Sequence, residues 1–196
     1  DAKVYLLGDH AMALNNTTLI TLKGTERSYV EFDCSGFLGV RLEGELQFSA
    51  DVVVPENEQG EVLNDRLKVS FTTYTQTLHD ILVSVTLPPF QLKSLPGFGF
   101  HVSQAQLDWS DLANPLGIVF PAQYRSPVID AGLDNLWQGI YIQDVQIRLP
   151  RAFVRQNATG RLTVGARDLI LDEQGMTGQL YADSIFNDCD MHGWAY

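Results

Sequence analysis

Four runs of β-branched or aromatic residues in this chain stop at a proline, and the four prolines lie about 30 residues apart. Because proline has no backbone N–H to donate, it ends a central strand or lies at a sheet edge. A recurrence at this period is typical of repeated structural units. The sequence therefore predicts a β scaffold with internal repetition. The four runs are residues 52–55, 85–88, 118–121 and 147–150.

Alternation of apolar and polar residues predicts where the strands lie. It is clearest over residues 42–54, which predicts a half-buried strand of about 13 residues. Residues 67–74 and 81–87 continue an antiparallel meander, and residues 101–109 form a further predicted strand. The acidic loop after the first strand predicts a positive φ at Gly60. Between Ile142 and Val145 the alternation changes phase by one residue, which predicts a β-bulge at Gln143-Asp144.

These patterns predict an all-β fold, either an antiparallel β-sandwich or an elongated meander with long twisted strands. The turn-rich stretch 90–127 is the predicted boundary between two similar halves, residues 1–95 and 96–196. The alternative is a single domain in which one sheet continues past a long crossover loop. Residues 126–137 are the only place where a short helical turn is predicted.

Composition narrows the classes of partner and the location of the protein. The chain has 24 Asp and Glu against 13 Lys and Arg, a net charge of −11, which excludes a nucleic-acid backbone as partner. No apolar run reaches the roughly 18–20 residues of a transmembrane helix. Glycosylation tripeptides at Asn15, Asn16 and Asn157 favour an extracellular or cell-surface location. The first and last residues indicate a piece of a longer exported chain, or a chain in which one end is a processed mature terminus.

Two cysteines, Cys34 and Cys189, lie near opposite ends of the chain. If they pair, the disulfide closes a loop of about 155 residues and stabilises the fold by up to roughly 4–5 kcal/mol. If they do not, both are free thiols. Beside Cys189, the candidate metal ligands are Asp188, Asp190 and His192, but no second cluster completes a zinc site. We therefore predict no cofactor and no bound metal.

No catalytic motif is present in the sequence, and a Gly-x-Ser-x-Gly elbow is absent. His10 and His79 each neighbour a carboxylate in sequence, but adjacent residues of a strand point to opposite faces. Glu43 and Glu45 share one strand face about 6.6–7 Å apart, a spacing that a glycosidase pair has. The same spacing is typical of the solvated face of a half-buried sheet. We predict no catalytic residue.

Exposed aromatic side chains stack on sugar rings or anchor protein partners. The candidates are Trp109, Trp137, Tyr141 and Trp194. The favoured function is a non-enzymatic structural or interaction module of an exported or cell-surface protein. Its partners would be other domains of the same chain or other proteins. The alternatives are an extracellular carbohydrate-binding module and a hydrolase whose site the sequence does not reveal.

Overall fold

The computed structural model describes residues 2–57, 59–76, 80–133, 136–150 and 159–187. In this part of the chain, thirteen strands form one antiparallel sheet, joined by connections that contain one short helix. The all-β antiparallel prediction is confirmed. The elements are β1 (Ala2–Tyr5), β2 (His10–Asn15), β3 (Thr18–Leu22), β4 (Tyr29–Asp33), β5 (Gly36–Phe48), β6 (Val53–Pro55), β7 (Leu67–Thr75), β8 (Ile81–Thr86), β9 (Phe90–Leu92), β10 (Gly99–Trp109), α1 (Pro127–Asp130), β11 (Gly139–Arg148), β12 (Thr159–Asp172) and β13 (Gly175–Asn187).

The main sheet is an elongated meander, one of the two predicted arrangements. Its order is β5-β7-β8-β10-β11-β12-β13, so successive long strands along the chain are neighbours in the sheet. The strands are long, with 13 residues in β5 and β13 and 14 in β12. Pairing of β8 with β10 and of β10 with β11 carries the sheet across the predicted boundary at 90–127. The division into residues 1–95 and 96–196 stays a prediction.

The first four strands extend the sheet beyond β5 as two successive rows, and each row consists of two short strands with an interruption between them. Strand β3 pairs with residues 44–48 of β5 and β4 pairs with residues 36–41, so the two lie end to end along one edge. Strands β2 and β1 pair with β3 and β4 in the same way. At the interruption, a Cβ on Gly24 would lie 2.4 Å from backbone atoms of Gly8, so only glycine permits this close crossing.

Two residues with positive φ flank β11, one on each side, at the predicted phase change. Gln104 in β10 and Asp168 in β12 have φ of 40° and 50°, and they flank Gln143 of β11. The register on both sides of β11 is unchanged at this position. The predicted bulge at Gln143-Asp144 is therefore wrong, because β11 keeps its register with both neighbours, and the register shift lies one strand further on, between Arg167 and Ile170 of β12 in its pairing with β13.

Among the described residues, short elements and long connections cover the sheet and form two hydrophobic cores. Around β6 and β9, one core buries Val53, Leu67 and Val69. The connection between β10 and β11 folds back over the sheet and forms the second core, which includes Ile118, Tyr124, Trp137, Tyr141 and Ile170. The helix α1 lies in this connection, within the range predicted for a helical turn.

Two strand predictions need correction. The run 118–121 forms no strand, because Ile118 is instead a buried core residue of the connection that covers the sheet. The predicted strand 42–54 is divided, since β5 ends at Phe48 and the backbone N–H groups of Val52 and Val53 donate to the carbonyl of Ser49 in a turn. The predicted positive φ at Gly60 is confirmed at 81°.

Candidate functional site

A cleft of about 500 Å³ lies where β10 ends, β11 begins and β12 ends. Trp109, the last residue of β10, lines it with 56% of its surface exposed. Leu107, Ile140 and Leu171 form the adjoining apolar wall. They are cross-strand neighbours in β10, β11 and β12, so the antiparallel register brings together residues distant in sequence. We call this the Trp109 cleft.

Polar groups also line the Trp109 cleft. They come from Ser126, Gln138, Asp172 and Glu173. Asp172 is fixed in place, because its Oδ1 accepts the backbone N–H of Gln174 at 2.9 Å. The cleft therefore combines an exposed indole ring with carboxylate and amide groups, a lining that suits a ligand with both apolar faces and hydroxyl groups.

A hydrogen-bond chain forms part of the wall of the cleft, because two of its members, Trp137 and Asp172, line the cleft. Trp137 Nε1 donates to the Tyr124 hydroxyl oxygen at 2.8 Å, and the Tyr124 hydroxyl donates to Asp172 Oδ2. Burial, together with the bond to Asp172, raises the pKa of Tyr124 to about 12. Trp137 is only 3% exposed and contacts the ring of Phe120. Its main role in this arrangement is to hold Tyr124 and Asp172 in position.

Tyr141 lies apart from the Trp109 cleft, in the buried core beside Ile170. Its hydroxyl donates to Oδ1 of Asp168 at 3.0 Å, and Asp168 is one of the two positive-φ residues that flank β11. Burial raises the pKa of Tyr141 to about 12, and the bond to Asp168 adds to the shift. Of the four aromatic candidates, the structure brings Trp109 and Trp137 together. Trp194 lies outside the described residues.

The remaining sequence candidates do not converge on a site in the part of the chain that the structure describes. Cys34 is exposed in the β4–β5 turn, and its predicted partner Cys189 lies outside the described residues, as do Asp188, Asp190 and His192. No group of three or more potential metal ligands occurs among the described residues.

The carboxylate pair of β5 is held by neighbouring side chains. Glu43 accepts hydrogen bonds from Thr25 and Arg27, and Glu45 accepts one from Gln47. His79 lies outside the described residues.

Strand β13 is the outermost member of the sheet order, and β12 is its one partner among the described strands. Two large apolar side chains on it are open to solvent, with Leu180 88% and Met176 72% exposed. At the opposite end of the sheet, β1 and β2 are exposed along their whole length. We refer to these two regions as the β13 edge and the β1–β2 edge.

No protein-family model matches this chain, and no curated protein or solved structure does either. No helix in the described part of the chain is long and apolar enough to cross a membrane. Sequence reasoning missed the polar groups of the Trp109 cleft, because Asp172 and Gln138 carry no motif and meet Trp109 only through the strand register.

Proposed function

We propose that this chain is a non-enzymatic structural module, whose sheet is continued at its outer strands by strands of neighbouring modules. One observation carries the proposal: both outer edges of the sheet are open among the described strands and display apolar side chains. Such neighbours would be further domains of the same polypeptide or other proteins.

The chemistry of the β13 edge supports strand addition. Isolated proteins protect their edge strands with charged residues, prolines or bulges, because an open edge pairs with other chains. Residues 175–184 of β13 carry one charged side chain, Asp183, and no proline, and the register of β13 with β12 shifts at one place, between Arg167 and Ile170. The strand is about 43 Å long by the usual rise per residue. An added strand would gain main-chain hydrogen bonds along that length, with Leu180 and Met176 as apolar contacts.

The β1–β2 edge supports the same interpretation at the other end of the sheet. Val4, Met12 and Leu14 are exposed on it, as is Leu7 in the connection between the two strands. Asn15 and Asn16, two of the predicted glycosylation sites, are exposed at the β2–β3 turn. A surface position of these residues is what an exported, glycosylated module requires.

Charge substitutions on the two edges test the proposal in the organism that makes the protein. We expect Leu180→Lys and Met12→Lys to release a tagged chain from its native assembly. The introduced lysine would be buried against the added strand, and burial of an unpaired charge disrupts strand addition. Val119→Lys is the matched control, since Val119 is exposed but lies in no strand. A wild-type chain that runs as a free monomer in native extracts would contradict the proposal.

The Trp109 cleft supports a second candidate function, the binding of a neutral carbohydrate. The exposed indole face of Trp109 offers a platform for the C–H face of a sugar ring. Asp172, Glu173 and Gln138 supply acceptors for its hydroxyl groups, and the two carboxylates disfavour an acidic sugar.

A glycan array and a tryptophan-fluorescence titration with its best ligands test this candidate. We expect saturable quenching that Trp109→Ala abolishes. The control is Leu95→Ala, because Leu95 is exposed and does not line the cleft, so its removal leaves the platform and its polar neighbours in place. A silent array together with unchanged fluorescence would exclude carbohydrate binding at this cleft.

A further inference from the structure

A second cleft, of about 470 Å³, lies on the face of the sheet between β4 and β10. Its floor contains Tyr29, Arg41 and Tyr74, which are direct cross-strand neighbours in β4, β5 and β7. Thr72 and Ser84 form a parallel row two residues further along. We call this the Arg41 cleft.

The connection after β10 roofs the Arg41 cleft with apolar groups. Leu112, Pro115 and Leu116 line it from above. This roof is tied to the sheet, because the Gln106 side-chain amide donates to the carbonyl of Leu116 at 3.3 Å. The cleft is thus a preformed space between a polar floor and an apolar roof.

The guanidinium of Arg41 is the unusual feature of this cleft. Arg41 Nε is the one buried side-chain nitrogen or oxygen without a hydrogen-bond partner in the part of the chain that the structure describes. By contrast, Arg27, Arg148 and Arg167 each contact a carboxylate. An unpaired buried donor is costly, so native proteins retain one rarely and often for a functional reason.

The electrostatic surroundings of Arg41 favour an anion. No Asp or Glu is among the described residues that line the cleft, although the chain as a whole has a net charge of −11. Glu43 follows two positions later on the same strand face, but Arg27 and Thr25 already hold its carboxylate. The cleft therefore presents a guanidinium and several hydroxyl donors with no internal counter-ion.

We propose that the Arg41 cleft binds a small molecule through its carboxylate or phosphate group, with Arg41 as the anchoring residue. A guanidinium matches either oxyanion in a two-pronged hydrogen-bond geometry. Hydroxyl groups of Thr72 and Ser84 on the floor supply further donors, and the roof accommodates an apolar body. The site lies on a sheet face and is independent of the edges invoked for the structural module.

The Nε–H resonance of Arg41 in a ¹⁵N-correlated spectrum of the folded full chain reports directly on this site. We would titrate the chain with sodium phosphate and, separately, with sodium benzoate, at constant ionic strength. Saturation with phosphate alone would assign a phosphate ligand, and saturation with benzoate alone would assign a carboxylate with an apolar body. Saturation with both would leave the shared oxyanion chemistry as the assignment.

Two variants separate anchoring from general charge effects. Arg41→Lys keeps the charge but loses the fork of donors, so we expect the affinity to fall at least about tenfold. Arg66→Lys is the matched control, because Arg66 is exposed and lies outside the cleft. We expect this variant to bind the probe with the affinity of the wild type. The backbone spectrum of each variant verifies folding. Shifts that fail to saturate with both probes, or an unchanged affinity in Arg41→Lys, would overturn the proposal.

Discussion

Removal of the Glu56 carboxylate is expected to destabilise the whole sheet. Arg148 Nη2 donates to Glu56 Oε2 at 2.6 Å, and Gln91 Nε2 donates to the same oxygen at 2.9 Å. The side chains of Glu56 and Arg148 are 5% and 17% exposed. The three residues come from β9, β11 and the segment after β6, so the interaction joins parts of the chain that are distant in sequence.

The expected loss follows from the burial of this ion pair. Glu56→Ala leaves the Arg148 charge largely buried without its carboxylate, which typically costs about 3–5 kcal/mol. For a chain of this size, that loss corresponds to a fall in melting temperature of roughly 6–20 °C. Replacing both partners, as in Glu56→Leu with Arg148→Met, should recover much of the loss, because neither charge is then left buried.

Urea unfolding followed by circular dichroism measures these free energies. The matched control is Arg27→Ala, which breaks the Arg27–Glu43 pair, where the arginine side chain is 72% exposed. We expect this control to lose less than about 1 kcal/mol. A loss below about 1 kcal/mol in Glu56→Ala, or a double variant as unstable as the sum of its single variants, would refute the reasoning.

Three further predictions concern buried polar groups. Tyr124→Phe should lower the free energy of unfolding by about 1–3 kcal/mol in urea titrations, because Trp137 Nε1 loses its acceptor. The pKa values of Tyr124 and Tyr141 are raised to about 12, so the native state holds both protons more tightly than the unfolded state does. Their stabilising contribution is complete below pH 10 and is lost as the pH rises from 10 to 12, which unfolding curves and tyrosinate absorbance at 295 nm will follow. Burial also raises the pKa of the Asp108 carboxyl, which accepts a hydrogen bond from Ser110. Asp108→Asn keeps an acceptor and removes the buried charge, so its melting temperature at pH 7 should equal or exceed that of the wild type, and a lower value would contradict this account.

The all-β class and much of the meander could be predicted, because the alternation of apolar and polar residues is a local property of the sequence. The patterns over residues 67–74, 81–87 and 101–109 each correspond to a strand of the sheet. The run 118–121 has the same composition but covers the sheet instead of joining it. A short apolar run therefore indicates burial more reliably than it indicates a strand.

The candidate sites could be predicted only in part. Trp109 was identifiable as an aromatic residue at a strand end, but its exposure and its polar neighbours depend on the register of β10, β11 and β12. Arg41 carried no local signal, because it is one polar residue in an alternating strand. Its significance comes from the cross-strand neighbours Tyr29 and Tyr74, neither of which supplies a counter-ion.

Hydrogen exchange with mass spectrometry tests the structural-module proposal most directly, by comparing the isolated chain with the same chain in its native assembly. The proposal predicts that peptides from the β13 edge and the β1–β2 edge exchange quickly in the isolated chain and become protected in the assembly. Peptides from β8 and β10, which pair on both sides, should be protected in both states. Equal and rapid exchange of both edges in the two states would contradict the proposal.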